Sequence, residues 1–146
     1  MEPDGLVWLD VFVPAGDPLW EVDVGRAFTW LGRTWAAALG GGDVHAGPLL
    51  SLVGAPWSGL VCFAGLGPGE VSGHGTKVGG MAQRRTRAGA LFQCAALLDW
   101  RPERLLDRLA LTADQRRRGA EELAGVARGL DVDPAALVAA LVDRLP

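Results

Sequence analysis

The chain has 146 residues, of which 49% are hydrophobic and 21% charged, and its formal net charge is −3. That length suits one domain burying roughly two thirds of its unfolded surface; the apolar content excludes global disorder, and the acidic balance argues against a nucleic-acid-binding surface. MEPDGLVWLD lacks the basic and apolar regions of a leader. No apolar run approaches the roughly 18 to 20 residues that span a bilayer, so no membrane association is expected and the predicted compartment is the cytoplasm.

Leu6 to Val13 reads as a strand, with Val7, Leu9, Val11 and Val13 on one face. Val24 to Leu39 carries the i, i+3, i+4 spacing of an amphipathic helix through Ala27, Phe28, Leu31, Trp35 and Ala38, with Asp23 as N-cap and Gly40 to Gly42 as the stop. Its tryptophans read as core anchors. His45 to Trp57 is loop-like with a short strand within Leu49 to Val53, and Leu60 to Leu66 reads as a second strand. Gly67-Pro68-Gly69-Glu70 has the proline and glycine of a type II turn, which doubles the chain back through Ser72. Val78 to Arg84 and Ala90 to Asp99 are further strands around a charged turn at Arg85 to Gly89. The result is a three-stranded antiparallel meander with Lys77 entering its middle strand.

Helices follow. Pro102 sits at an N1 position, Thr112 and Gln115 make a capping box for a helix reaching about Ala127, and Asp133-Pro134 opens a final helix with a seam of Leu137, Val138, Leu141, Val142 and Leu145. Strands first and helices last predict an α+β fold with a mixed, largely antiparallel sheet. It divides into a core over residues 1–100 and a C-terminal helical segment over residues 101–146.

The stretch from Gly65 to Asp99 concentrates the candidate chemistry. It holds seven glycines between Gly65 and Gly80, the sole lysine of the chain, Lys77, and the cluster Arg84, Arg85 and Arg87. Glycines at 73, 75, 79 and 80 leave no Cβ beside the backbone, so a ligand can approach closely. An ammonium in that setting can bind a phosphate or the negative charge developing on an acyl group. Local spacing fits an exposed strand-edge lysine equally well. No Walker A pattern, no G-x-G-x-x-G opening a helix and no G-x-S-x-G elbow is present, and Gly65, Gly67 and Gly69 are explained by the turn. His45, His74, Cys62 and Cys94 lack metal-ligand spacing, so no metal site is expected. Cys94 alternates onto an apolar face with Phe92 and Ala96 and reads as an inert core thiol. Gln93 points to the other face, toward a cross-strand hydrogen bond or a ligand, and His74 reads as a solvated turn residue.

The run Gly75-Thr76-Lys77-Val78-Gly79-Gly80-Met81-Ala82-Gln83-Arg84-Arg85-Thr86-Arg87, followed by Leu91-Phe92-Gln93-Cys94, resembles the lysine-containing segment of lipoate protein ligases. These belong to the wider family of biotin and lipoate ligases and octanoyltransferases. The pattern there is Lys-x-x-Gly-x-Ala, a polar or basic stretch, then a strand that often carries His-Gly where this chain has Gln93-Cys94. The helix from Val24 to Leu39 and the CFAGLGPGEV stretch from Cys62 are also similar to family members, so the likeness covers most of Gly5 to Trp100. It implies the catalytic-domain fold of that family, use of ATP with magnesium, activation of lipoate as lipoyl-adenylate, and transfer to a lysine of lipoyl acceptor domains in 2-oxoacid dehydrogenase or glycine cleavage complexes. It also implies Lys77 as the catalytic residue, Gly75, Val78, Gly79, Gly80 and Gln93 as lipoyl-adenylate-binding, and Arg84, Arg85 and Arg87 as steering an acidic acceptor domain.

In the family, an arginine- and glycine-rich segment upstream of the strand at Leu6 binds the lipoyl and phosphate groups. These 146 residues do not contain it. The expectation is therefore a fragment, a split enzyme whose partner chain supplies the segment, or a non-catalytic subunit, with an exposed sheet edge that promotes association. An octanoyltransferase is the alternative within the family, and it requires Cys62 or Cys94 within reach of Lys77.

Overall fold

A computed structural model describes residues 5–146. The valine-rich opening forms strand β1 (Leu6–Pro14), and after a loop and a 3-10 turn over Arg26–Phe28 the chain enters α1 (Thr29–Ala38). Short strands β2 (Asp43–Val44) and β3 (Leu50–Ser51), helix α2 (Trp57–Leu60) and strand β4 (Gly65–Leu66) precede β5 (Val71–Gly73), β6 (Thr76–Arg85) and β7 (Gly89–Leu97). Helices α3 (Pro102–Leu106), α4 (Ala113–Leu123) and α5 (Pro134–Val142) complete the chain.

The main sheet runs β1-β7-β6-β5-β2, with every neighbouring pair antiparallel, and β3 pairs with β4 in a separate two-stranded ladder. The fold is α+β, and β5, β6 and β7 are the meander expected from the sequence. Its first hairpin turns through His74 and Gly75, both at positive φ, which matches the twist of the flanking strands. The turn before β5 is also as expected: Glu70 N–H donates to the Gly67 carbonyl at 3.1 Å, and Gly69 sits at φ 77°. Gly69 tolerates no side chain, since a Cβ there would lie 2.6 Å from the Phe28 carbonyl oxygen.

Paired residues of an antiparallel sheet share a face, so the register divides β1, β6 and β7 cleanly. Val7, Val11 and Val13, Phe92, Cys94 and Ala96, and Met81 lie on one face, which α1 and α5 cover through Leu31, Trp35, Leu137 and Leu141. Phe28 of the lead-in turn meets Phe92 edge to face at 5.6 Å between ring centroids. The opposite face carries Trp8, Asp10 and Phe12, Leu91, Gln93 and Ala95, and Gly80, Ala82 and Arg84. A second cluster built on Trp57, Phe63, Leu106, Leu123 and Val126 covers only the Leu97 end of that face. Trp8 and Phe12 are each 53% exposed. Strands β1 and β2 are the two edges of the main sheet among the described residues.

Several elements differ from the sequence expectation. Leu60 to Leu66 is not a strand: it is the end of α2, a 3-10 turn over Cys62–Ala64 and the two residues of β4. Val61, Phe63, Ala64, Gly65 and Leu66 are buried while Leu60 and Cys62 are exposed, so a brief alternation gives way to a buried stretch that suits compact turns as well as a strand. Helix α1 begins at Thr29 rather than Val24, which is exposed; Asp23 instead caps the 3-10 lead-in, its Oδ1 accepting from the Arg26 amide at 2.9 Å. The Thr112/Gln115 capping box and the Asp133 cap form as expected, and α4 stops at Leu123 rather than near Ala127. Arg85 belongs to β6, not to the turn that follows.

Candidate functional site

Between β5 and β6 the register slips by one residue: Val71 opposes Gly79 while Ser72 opposes Lys77, leaving Val78 as the extra residue of a β-bulge. The slip matters because side chains alternate along a strand. Without it, Lys77 and Gly80 would lie on opposite faces. With it, Val78 joins the core under α1, and Lys77 turns to the open face beside Gly80, whose absent Cβ would lie 3.6 Å from Lys77 Cε. Ala82 follows on the same face, directly opposite Gln93. The Lys-x-x-Gly-x-Ala spacing thus becomes one continuous surface of a cation followed by two small residues, with Ala95 across from Gly80.

The backbone of Lys77 is held by the C-terminal part of the chain. Its N–H donates to the Val126 carbonyl at 3.0 Å and its carbonyl accepts from the Arg128 amide at 3.1 Å, a parallel bridge centred on Ala127. The side chain is 2% exposed, so it is no exposed strand-edge lysine. Its ammonium donates to Glu70 Oε2 at 2.5 Å, to the Gly65 carbonyl at 2.7 Å and to the Cys62 carbonyl at 3.1 Å, and it stands 4.9 Å from the centroid of the Phe63 ring. An ammonium has three donors, and all three are used. A ligand oxygen can reach Nζ only by replacing one of these acceptors, and the Cys62 carbonyl is the most distant.

Glu70 is the residue that sequence reasoning missed. Its carboxylate also accepts from the Gly67 amide at 2.6 Å and from the Met81 amide at 2.9 Å, so four hydrogen-bonding groups including Lys77 and its own backbone turn are organised around it. A signal existed: Glu70 is the sole acid between Asp43 and Asp99, the same interval that holds the sole lysine.

The other predicted residues scatter. Gly75 lies in the exposed hairpin turn, and Gly79 sits between Val71 and Ala96 in the ladder. Gln93 is half-buried on the open face. Arg85 is committed internally, its guanidinium donating to the Glu21 and Val22 carbonyls and standing 5.0 Å from the Trp20 ring centroid. Arg84, on the open face, and Arg87, in the turn after β6, are exposed. Cys94 lies on the covered face, where burial pushes its thiol up to about 12, whereas Cys62 is exposed next to Lys77's carbonyl partner. Among the described residues no group of three or more His, Cys, Asp or Glu side chains converges to hold a metal ion. The carboxylate nearest Lys77, that of Glu70, is already spent on three donors. Glu70 is therefore not a free magnesium ligand.

No protein-family model matches the chain, and no curated protein matches its sequence. Among solved structures, a mutant biotin protein ligase from Aquifex aeolicus in complex with biotin aligns over 96% of this chain and 48% of its own, with 12% identity and a TM-score of 0.53. The biotin protein ligase of the same organism with biotin and ATP gives 13% identity and a TM-score of 0.50 over the same shares. The fold is similar to that of a biotin protein ligase. A candidate lipoate protein ligase from T. acidophilum aligns at 15% identity and a TM-score of 0.46, over 95% of this chain and 60% of its own. The chain spans about half the length of the biotin protein ligases it matches. No helix among the described residues is long and apolar enough to cross a membrane.

Proposed function

We propose that this chain carries the acyl-adenylate site of a lipoate-protein ligase, which activates lipoate with ATP in the cytoplasm and passes the acyl group to a lysine of a lipoyl acceptor domain. The observation that carries the reading is the bulge at Val78, which sets Lys77, Gly80 and Ala82 on one sheet face with Gln93, covered at Lys77 and exposed at Ala82. Glu70 and Phe63 stand over Gly80, and beyond them Ala82 and Ala95 leave a shallow trough in which an acyl chain can lie against the sheet. At its head Lys77 stabilises negative charge developing on the acyl carbonyl and the phosphate, entering the ligand's coordination as the Cys62 carbonyl is displaced. Gln93 offers an amide beside the trough, and Arg84 and Arg87 are free to attract an acidic acceptor domain. A partner chain supplying an arginine- and glycine-rich segment would complete the phosphate contacts.

Calorimetric titration with a non-hydrolysable lipoyl-adenylate analogue tests this, with Ala82→Trp as the blocking variant because Ala82 is exposed and the change spares the core. Binding by the parent chain and its loss in Ala82→Trp is the expected result. Equal binding by both would remove the trough from the reading, and tighter binding of the biotinyl analogue would reassign the acyl group. One observation favours the transferase alternative, in which a thiol takes the acyl group directly: Cys62, whose backbone carbonyl accepts from the Lys77 ammonium, is exposed. Acyl transfer that survives Cys62→Ser excludes it.

A further inference from the structure

Two features of the Glu70 carboxylate stand out. It occupies the place of a strand, because β5 ends at Gly73 and pairs with β6 only over Thr76–Gly79, while Glu70 Oε1 accepts the amide of Met81 two residues further along β6. It is also anchored from the other side, since Oε2 accepts the Gly67 amide of the type II turn. The carboxylate is thus fixed by two backbone donors before it meets Lys77, and it is 7% exposed. It stands directly over Gly80: a Cβ at that position would lie 3.4 Å from both Glu70 Oε1 and Phe63 Cζ, in contact with both. A flexible four-carbon lysine stem has no reason to hold one position on a sheet face. A carboxylate pinned at two amides supplies that reason.

We propose that Glu70 is the positioning residue of Lys77, and the inference rests on the acyl-adenylate reading above. Glu70 holds the ammonium in place beside Gly80, at the head of the trough. The two carbonyls complete its coordination without ligand, and the exchangeable one, Cys62, belongs to a three-residue 3-10 turn that can yield its acceptor to the acyl carbonyl. Glu70 itself does not touch the ligand. Its negative charge leaves the pair neutral overall, so the site favours an uncharged carbonyl that gains negative charge during reaction over a free anion.

Because Lys77 is the sole lysine, its side-chain nitrogen can be followed alone. The ligand-free chain carrying nitrogen-15 lysine should give one side-chain ammonium resonance protected from rapid exchange. Glu70→Gln should abolish that protection, and Glu70→Asp, which keeps the charge on a shorter stem, should retain part of it. If Glu70→Gln fails to fold, the Glu70→Asp spectrum carries the test, with unchanged protection counting against the proposal. The second measurement is a double-mutant cycle on affinity for the lipoyl-adenylate analogue. Glu70→Gln should weaken binding by roughly 10- to 100-fold, the scale of a lost charge-assisted contact, yet have no effect in a Lys77→Ala background. A carboxylate that only supports the fold would weaken binding in both backgrounds. Protection that persists in Glu70→Gln overturns the positioning role whatever the ligand does. Protection lost as expected with no analogue bound by the parent chain overturns the acyl-adenylate reading, and with it any action of the pair on a ligand.

Discussion

The two faces of the main sheet are built from the same three long strands yet solve different problems. The face under α1 and α5 alternates valine, phenylalanine, cysteine and alanine, and it is closed by Leu31, Trp35, Leu137 and Leu141. The other face is closed only near Leu97; along β6 it is made of Gly80 and Ala82, and its one buried charge, Lys77, is neutralised in place by Glu70. A sheet that must bury apolar area spends large side chains on it. The open face combines small residues along β6 with the half-exposed Trp8 and Phe12 of β1, and holds a charge only where a full set of acceptors surrounds it.

The sharpest way to break this contrast is to put equal damage into both faces. Phe92→Ala on the closed face should cost about 3–5 kcal/mol, as for other buried aromatic truncations. Lys77→Met should cost a similar amount, about 3–5 kcal/mol, because it strands the Glu70 carboxylate in a buried site. The double variant Lys77→Met/Glu70→Gln should recover part of that loss in urea unfolding. If Lys77→Met were neutral, the ion pair would be solvated and the open face would reach further than Gly80.

Acidity sharpens the same contrast. The Cys94 thiol, raised by burial from 9.0 to about 12, holds its proton in the folded chain where the unfolded chain has already lost it. Its contribution to stability is therefore complete below about pH 9 and falls by about 1.4 kcal/mol per pH unit as pH rises toward 12. Cys94→Ala should flatten that stretch of the stability profile. In native protein at neutral pH, a thiol reagent should modify the exposed Cys62 and leave Cys94 unmodified until unfolding. The smallest effect is expected at Trp8, half exposed on the open face: Trp8→Ser should change stability by less than about 0.5 kcal/mol. A loss near that of Phe92→Ala would mean that the face is covered in solution, by a second copy or another chain.

Much of the fold was legible because its signals are local. Alternation in LVWLDVFV, the proline and glycine of the turn before Glu70, the Thr112/Gln115 box and the Asp133-Pro134 cap each depend on neighbouring residues, and each formed as read. The run from Leu60 to Leu66 was misread because its short alternation, Leu60 to Phe63, reads as a strand in sequence, while the buried stretch Phe63 to Leu66 has no period to distinguish strand from turn. Of the candidate site, the sequence marked Lys77 and Gly80 through their spacing and resemblance. Strict alternation, however, would have put Lys77 on the wrong face for that spacing to make one surface.

The sequence by itself determined the longer strands and helices, their order, and the concentration of unusual residues between Gly65 and Asp99, since these follow from backbone preference and apolar period within short windows. The tertiary structure alone decided what Lys77 meets. The bulge at Val78, the carboxylate of Glu70 seven positions earlier, the carbonyls of Cys62 and Gly65, and the segment at Ala127 fifty positions later all converge on one side chain. That convergence is long-range pairing, and the cost of desolvating the charge is offset only by acceptors that no local window brings together.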